Sequence, residues 1–171
     1  MKEAELRPPV LAHLERQGYR AWAAPDGHDY FDIAAVRGDE VGLVELKIAD
    51  AKAVFGQALR RRAWADWVAV ALPGLRSARR LAAIRTPERA DRVGVWLVRS
   101  DRVEELRPAR PLYGPGEPDP FAPSRGRLRT LLQAIERGEV SEEFGWGFVG
   151  SPPIADGRRR STATWRLDEF G

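Results

Sequence analysis

Cysteine is absent from the 171 residues, which excludes disulfides, thiolate zinc sites and cysteine-based nucleophilic catalysis. Histidine is nearly absent: His13 and His28 are too few for a His-rich metal centre. No apolar run approaches the roughly 18–20 residues of a membrane-spanning helix, and the opening MKEAELRPPV lacks the apolar stretch of a signal peptide. A cytoplasmic protein with no membrane partner is therefore expected. Lysine is scarce too, with Lys2, Lys47 and Lys52 the only three among 28 basic residues. A chain so biased toward Arg would be expected to fill an indifferent basic surface position with Arg, so Lys47 reads as kept for its compact, titratable amine.

What is present fits a globular chain. Charged residues make up 31% and hydrophobic ones 43%, and the length suits one domain, or one domain with a small appendage. The net charge of +3 is modest. The basic excess lies in the first hundred residues, which is compatible with a phosphate-bearing partner without requiring one.

The chain is organised around Phe31 to Ile48, FDIAAVRGDEVGLVELKI. β-branched and aliphatic residues flank Gly38-Asp39, a pair suited to a two-residue hairpin turn. With that loop, facing residues have numbers summing to 77, so Asp32 stands opposite Glu45. Strand alternation puts Asp32 on one face with Glu45 and Lys47. Like charges directly opposed across two strands repel, and a divalent cation between them would offset the repulsion. Lys47, two residues beyond Glu45, would reach an anionic oxygen. The same three residues also read as an edge-strand charge cluster, with Lys47 neutralising Glu45 and Asp32 capping a turn. Apolar residues on both faces, among them Phe31, Ile33, Val44 and Leu46, argue for a covered, central position.

Around the hairpin, residues 3–17 read as a helix with Leu6, Val10 and Leu14 on one face. Pro8 and Pro9 either restrict that helix to the part after Arg7 or sit in its first turn. Glu5 reads as a first-turn acid suited to the helix dipole, or as a carboxylate reaching the hairpin. Residues 19–24 form a first strand, and the loop Pro25 to Asp29 holds Asp26, His28 and Asp29. Asp50 caps a helix over 50–65 that carries Gln57 mid-way and the run Arg60, Arg61, Arg62. Residues 67–72 and 93–98 are short apolar strands separated by a basic helix over 76–85 with Arg79 and Arg80.

This order, with Asp32, twelve intervening residues, Glu45-Leu46-Lys47 and then a Gln-bearing helix, resembles the PD-(D/E)XK nuclease superfamily. The resemblance covers Glu5 to about Val98. It implies a restriction-endonuclease-like αβββαβ core with a mixed central sheet flanked by helices, and magnesium- or manganese-dependent hydrolysis of phosphodiesters, expected in DNA. It carries Asp32 and Glu45 over as metal ligands, joined by the backbone carbonyl of Leu46 and, as in some members, by Glu5. Lys47 positions or deprotonates the attacking water, and Gln57 matches the glutamine of the following helix. Arg60, Arg61, Arg62, Arg79 and Arg80 would hold flanking phosphates. Two departures stand out: Phe31 replaces the proline before Asp32, and Arg61 stands where a tyrosine often follows the glutamine. A catalytically idle nuclease-fold subunit that binds nucleic acid or protein is the alternative the same residues allow.

The expected organisation is a nuclease-like core over 1–106, a proline-rich connector over 107–126 holding six of the 13 prolines, and a C-terminal extension over 127–171. The extension opens with a helix over 127–137 and reads as packing on the core, through Trp146 and Trp165, or on a partner. Contact with DNA through Arg158 to Arg160 and a dimerisation arm that would make a homodimer are its other readings.

Overall fold

A computed structural model of the chain describes residues 2–24, 31–48, 51–83 and 90–141. Among these residues the fold is mixed α/β: one six-stranded sheet in the order β1-β2-β3-β4-β5-β6, with four α-helices. In chain order the elements are α1 (Glu3–Arg16), β1 (Arg20–Ala23), β2 (Ile33–Arg37), β3 (Glu40–Leu46), α2 (Ala51–Arg60), β4 (Trp67–Leu72), α3 (Leu75–Ala82), β5 (Gly94–Val98), β6 (Val103–Arg107) and α4 (Ala122–Glu136).

The first three strands form an antiparallel meander, β3 to β5 run parallel, and β6 returns antiparallel along β5. Parallel neighbours require crossovers, and these are the helices α2 and α3. The β2–β3 register is the one read from the turn: Ile33 faces Val44 and Arg37 faces Glu40. Gly38 has φ +56°, the left-handed geometry that a two-residue hairpin turn demands of its first position.

Both faces of the sheet are covered. On one, Leu6, Val10 and Leu14, spaced four apart, form the stripe by which α1 packs on Ile33, Val44, Leu46, Ala69 and Trp96. On the other, α2, α3 and α4 cover Ala34, Val36, Leu43, Val68, Val70 and Val95. All six residues of β4 are buried, as expected of a strand with helices on both sides.

Helix α1 starts at Glu3 and continues through Pro8 and Pro9, so it neither begins after Arg7 nor keeps the two prolines in its first turn. Two backbone donors are lost near its start, and burial of Leu6 and Pro9 against the sheet offsets that. Helix α4 begins at Ala122, five residues before the expected start, with Pro123 in its first turn where a missing N–H costs nothing. It shares the core with α2 and α3 through Leu128, Leu132 and Ile135. Strand β6 was not expected from its charged sequence VEELR. It forms the sheet edge, where alternation need not be apolar. The loop with Asp26, His28 and Asp29, the cap Asp50, and Trp146, Trp165 and Arg158 to Arg160 lie outside the described residues.

Candidate active site

Glu45, Leu46 and Lys47 stand at the carboxyl end of β3, beside the carboxyl end of its parallel neighbour β4, to which Lys47 is still bonded through its N–H and the Ala71 carbonyl, 3.1 Å. Crevices at the carboxyl ends of parallel strands are where α/β sheets most often take ligands. Asp32 is the residue just before β2 and, in register, lies opposite Glu45. Its backbone carbonyl accepts the Ala24 N–H at 2.8 Å, which ties it to the β1 side, while its Oδ2 accepts the Leu46 N–H at 2.7 Å. The carboxylate is thus aimed at the β3 end by the ladder itself.

Burial dominates the electrostatics. The Glu45 side chain is 7% exposed, and desolvation pushes its carboxyl up even though the Arg61 guanidinium pulls it down. Desolvation likewise pushes Asp32 up against the Leu46 N–H, with the charge of Glu3 adding to the rise and those of Lys47 and Arg7 opposing it. The negative charge of Asp32 adds to the rise at Glu45. Neighbouring carboxyls with raised proton affinity mark a functional-site candidate.

The cations are held by the acids. Arg61 Nε lies 2.6 Å from Glu45 Oε1, and Lys47 Nζ lies 3.2 Å from Glu3 Oε1. Glu45 is closed off by its ion pair, whereas Asp32 is only partly buried and Lys47 is 30% exposed, so solvent reaches the cluster on their side. Gln57 stands in the last turn of α2, four residues before Arg61, which opens the 3-10 turn that follows. Its Oε1 is buried and accepts no hydrogen bond.

The α1 carboxylate that reaches the cluster is Glu3. Glu5 is exposed and sits at the helix cap, where its carboxylate accepts the Lys2 N–H at 2.9 Å. The difference was legible in the helix phase: Glu3 lies three residues before Leu6 and seven before Val10, on the stripe that faces the sheet, and Glu5 does not. Of the arginines, Arg60, Arg79 and Arg80 are exposed, Arg61 turns inward to Glu45, and Arg62 lies over the Phe121 ring, 5.7 Å from its centre.

Two acids from adjacent strands, hard oxygen donors, suit magnesium or manganese, which need one or two carboxylates and otherwise keep water and substrate oxygens. Among the described residues no three acidic or histidine side chains converge as a preformed cage. A cavity of about 370 Å³ at the other end of β3, lined by Tyr19, Trp67, Trp96, Arg37, Glu40 and Glu105, holds none of these groups. Its carboxylates are already spent: Glu40 pairs with Arg37 at 2.9 Å, and Glu105 with His13 at 2.8 Å.

No protein-family model and no curated protein matches the chain. Among solved structures the chain is similar to the SPO1766 protein of unknown function from Silicibacter pomeroyi, with TM-score 0.51 and 18% identity over 81% of this chain and 94% of that one. At that identity the likeness concerns the fold alone. No described helix is long and apolar enough to cross a membrane.

Proposed function

We propose that the protein is a metal-dependent nuclease of the PD-(D/E)XK type, with Asp32, Glu45 and Lys47 as its centre and DNA as its substrate. The observation that carries this reading is the register of β2 on β3, which sets Asp32 opposite Glu45 and binds its carboxylate to the Leu46 N–H at the strand end where Lys47 follows. The element order supports it as well. Helix, three strands, helix, strand runs from α1 to β4 in the αβββαβ sequence that the resemblance implies.

Asp32 and Glu45 would hold magnesium or manganese, with the Leu46 carbonyl beside them. When bound, the ion supplies charge neutralisation at the scissile phosphate and lowers the pKa of water. The protein's own groups do the rest. The Leu46 N–H fixes the Asp32 carboxylate, and Glu3 holds the partly exposed Lys47 ammonium, which stabilises negative charge growing on the phosphate oxygens. Gln57, with an acceptor to spare, orients a water proton. Arg60, Arg79 and Arg80, exposed on α2 and α3, are available to flanking phosphates, so binding should weaken steeply with salt.

One observation favours the alternative of an idle, binding-only subunit: the Arg61 pair that closes Glu45. A single assay separates the two. Plasmid, linear duplex, branched and single-stranded DNA are incubated with the protein and magnesium or manganese, beside Asp32→Ala and Lys47→Ala. Cutting by the wild type that is lost in both folded variants is expected. Failure of the wild type to cut any substrate would favour the binding module instead.

A further inference from the structure

We propose that Arg61 gates the site: its guanidinium holds Glu45 until a cation and a phosphate arrive together, and then passes from the carboxylate to the phosphate. This rests on the nuclease reading above and adds to it a residue that sets when the metal binds.

The geometry makes the two occupants exclusive. Arg61 Nε lies 2.6 Å from Glu45 Oε1, with the Arg61 and Glu45 side chains only 14% and 7% exposed. An oxygen so engaged, next to a fixed positive charge, cannot also serve a divalent ion at full strength. Arg61 cannot resolve the conflict by losing its proton, because guanidinium stays charged. It must move.

Its position allows that. Arg61 opens a 3-10 turn, Arg61–Ala63, directly after α2, so its backbone is not held by the regular hydrogen bonding of the α-helix interior. Four residues back, in the last turn of α2, the buried Gln57 Oε1 lacks a donor and offers a guanidinium leaving Glu45 a second acceptor. Planar, multidentate guanidinium matches phosphate as well as it matches carboxylate. Glu45 and a phosphate on one side, and Gln57 on the other, give Arg61 two resting places whose balance a bound ion and anion can tip.

The test is manganese affinity, read by calorimetry and by the electron paramagnetic resonance of the free ion, on the full chain and its Arg61→Gln and Arg61→Lys variants. Circular dichroism melts confirm that each is folded. Arg61→Gln is expected to bind manganese at least tenfold more tightly than the wild type, with Arg61→Lys between them. A second arm adds dimethyl phosphate as the phosphodiester probe. It should raise the manganese affinity of the wild type several-fold more than that of Arg61→Gln, since linkage requires the coupling to pass through the displaced residue. A residue that merely holds the fold would shift the melt without tightening the metal. Equal or weaker manganese binding by folded Arg61→Gln, or the same phosphate enhancement in both proteins, overturns the gate alone. No manganese binding by any of the three overturns the gate and the metal-dependent reading together.

Discussion

A carboxylate buried beside another is held at a cost to the fold, and Asp32 shows what that implies for stability. Its folded-state proton affinity is raised, chiefly by burial. A group raised in this way contributes stability below its unfolded pKa that is lost as pH climbs through the folded value. In chelator, Asp32→Asn keeps the acceptor for the Leu46 N–H and removes the charge. The variant should be more stable than the wild type at neutral pH by about 1 kcal/mol, with the gap closing as pH falls into the ordinary carboxylate range. Urea unfolding across pH 4 to 8 checks this, and an unchanged or lowered neutral stability would count against a desolvated Asp32. The residues of this cluster were legible to different degrees. Asp32 opposite Glu45 followed from a two-residue turn and simple register. The inward turn of Arg61 did not, because an arginine run on a helix carries no signal of which member faces a buried acid until the helix is docked.

At the scale of elements, the close contacts fall where the sequence has its smallest residues. Gly42 in β3 lies under the Trp67 ring, and a β-carbon built there would overlap the indole. Gly42→Ala must displace Trp67 from the α1-side core and is expected to destabilise by about 2–3 kcal/mol, measured as a lower urea midpoint with an unchanged slope. Helix α4 is fastened twice. Leu132 is fully buried against the sheet, and Arg125 joins Asp119 to Asp66, 3.0 Å away, whose other oxygen accepts the Val41 N–H. Leu132→Ala should therefore cost roughly 2–5 kcal/mol and leave one cooperative transition, since α4 shares its core with α2 and α3. Two melting steps would show α4 to be a separate unit. Strands β2 to β5 and helices α1 to α3 could be read from periodicity within a few residues, because burial on both faces leaves a strong apolar pattern. Strand β6 could not, because its partner β5, rather than its own composition, makes it a strand.

At the scale of the whole molecule, the sheet does two jobs. Its antiparallel half carries Asp32 to the end of β2, and its parallel half carries Glu45 and Lys47 to the end of β3, where α1 supplies Glu3 and the turn after α2 supplies Arg61. The order of elements was legible because helices and short apolar strands alternate visibly. Of the three carboxylates and three cations at this point, Glu3 followed from the apolar phase of α1, whereas the inward turn of Arg61 depended on how the turn after α2 docks. Hydrolysis is the claim that binds these features together. It is tested most directly by the single-turnover rate of magnesium-dependent cleavage of the best DNA substrate, wild type against Asp32→Asn. The expected result is a loss of at least about a thousandfold, roughly 4 kcal/mol of transition-state stabilisation, in a variant that melts no lower than the wild type. Cleavage by Asp32→Asn within a few-fold of the wild type, or the same rate for both in chelator, would contradict it.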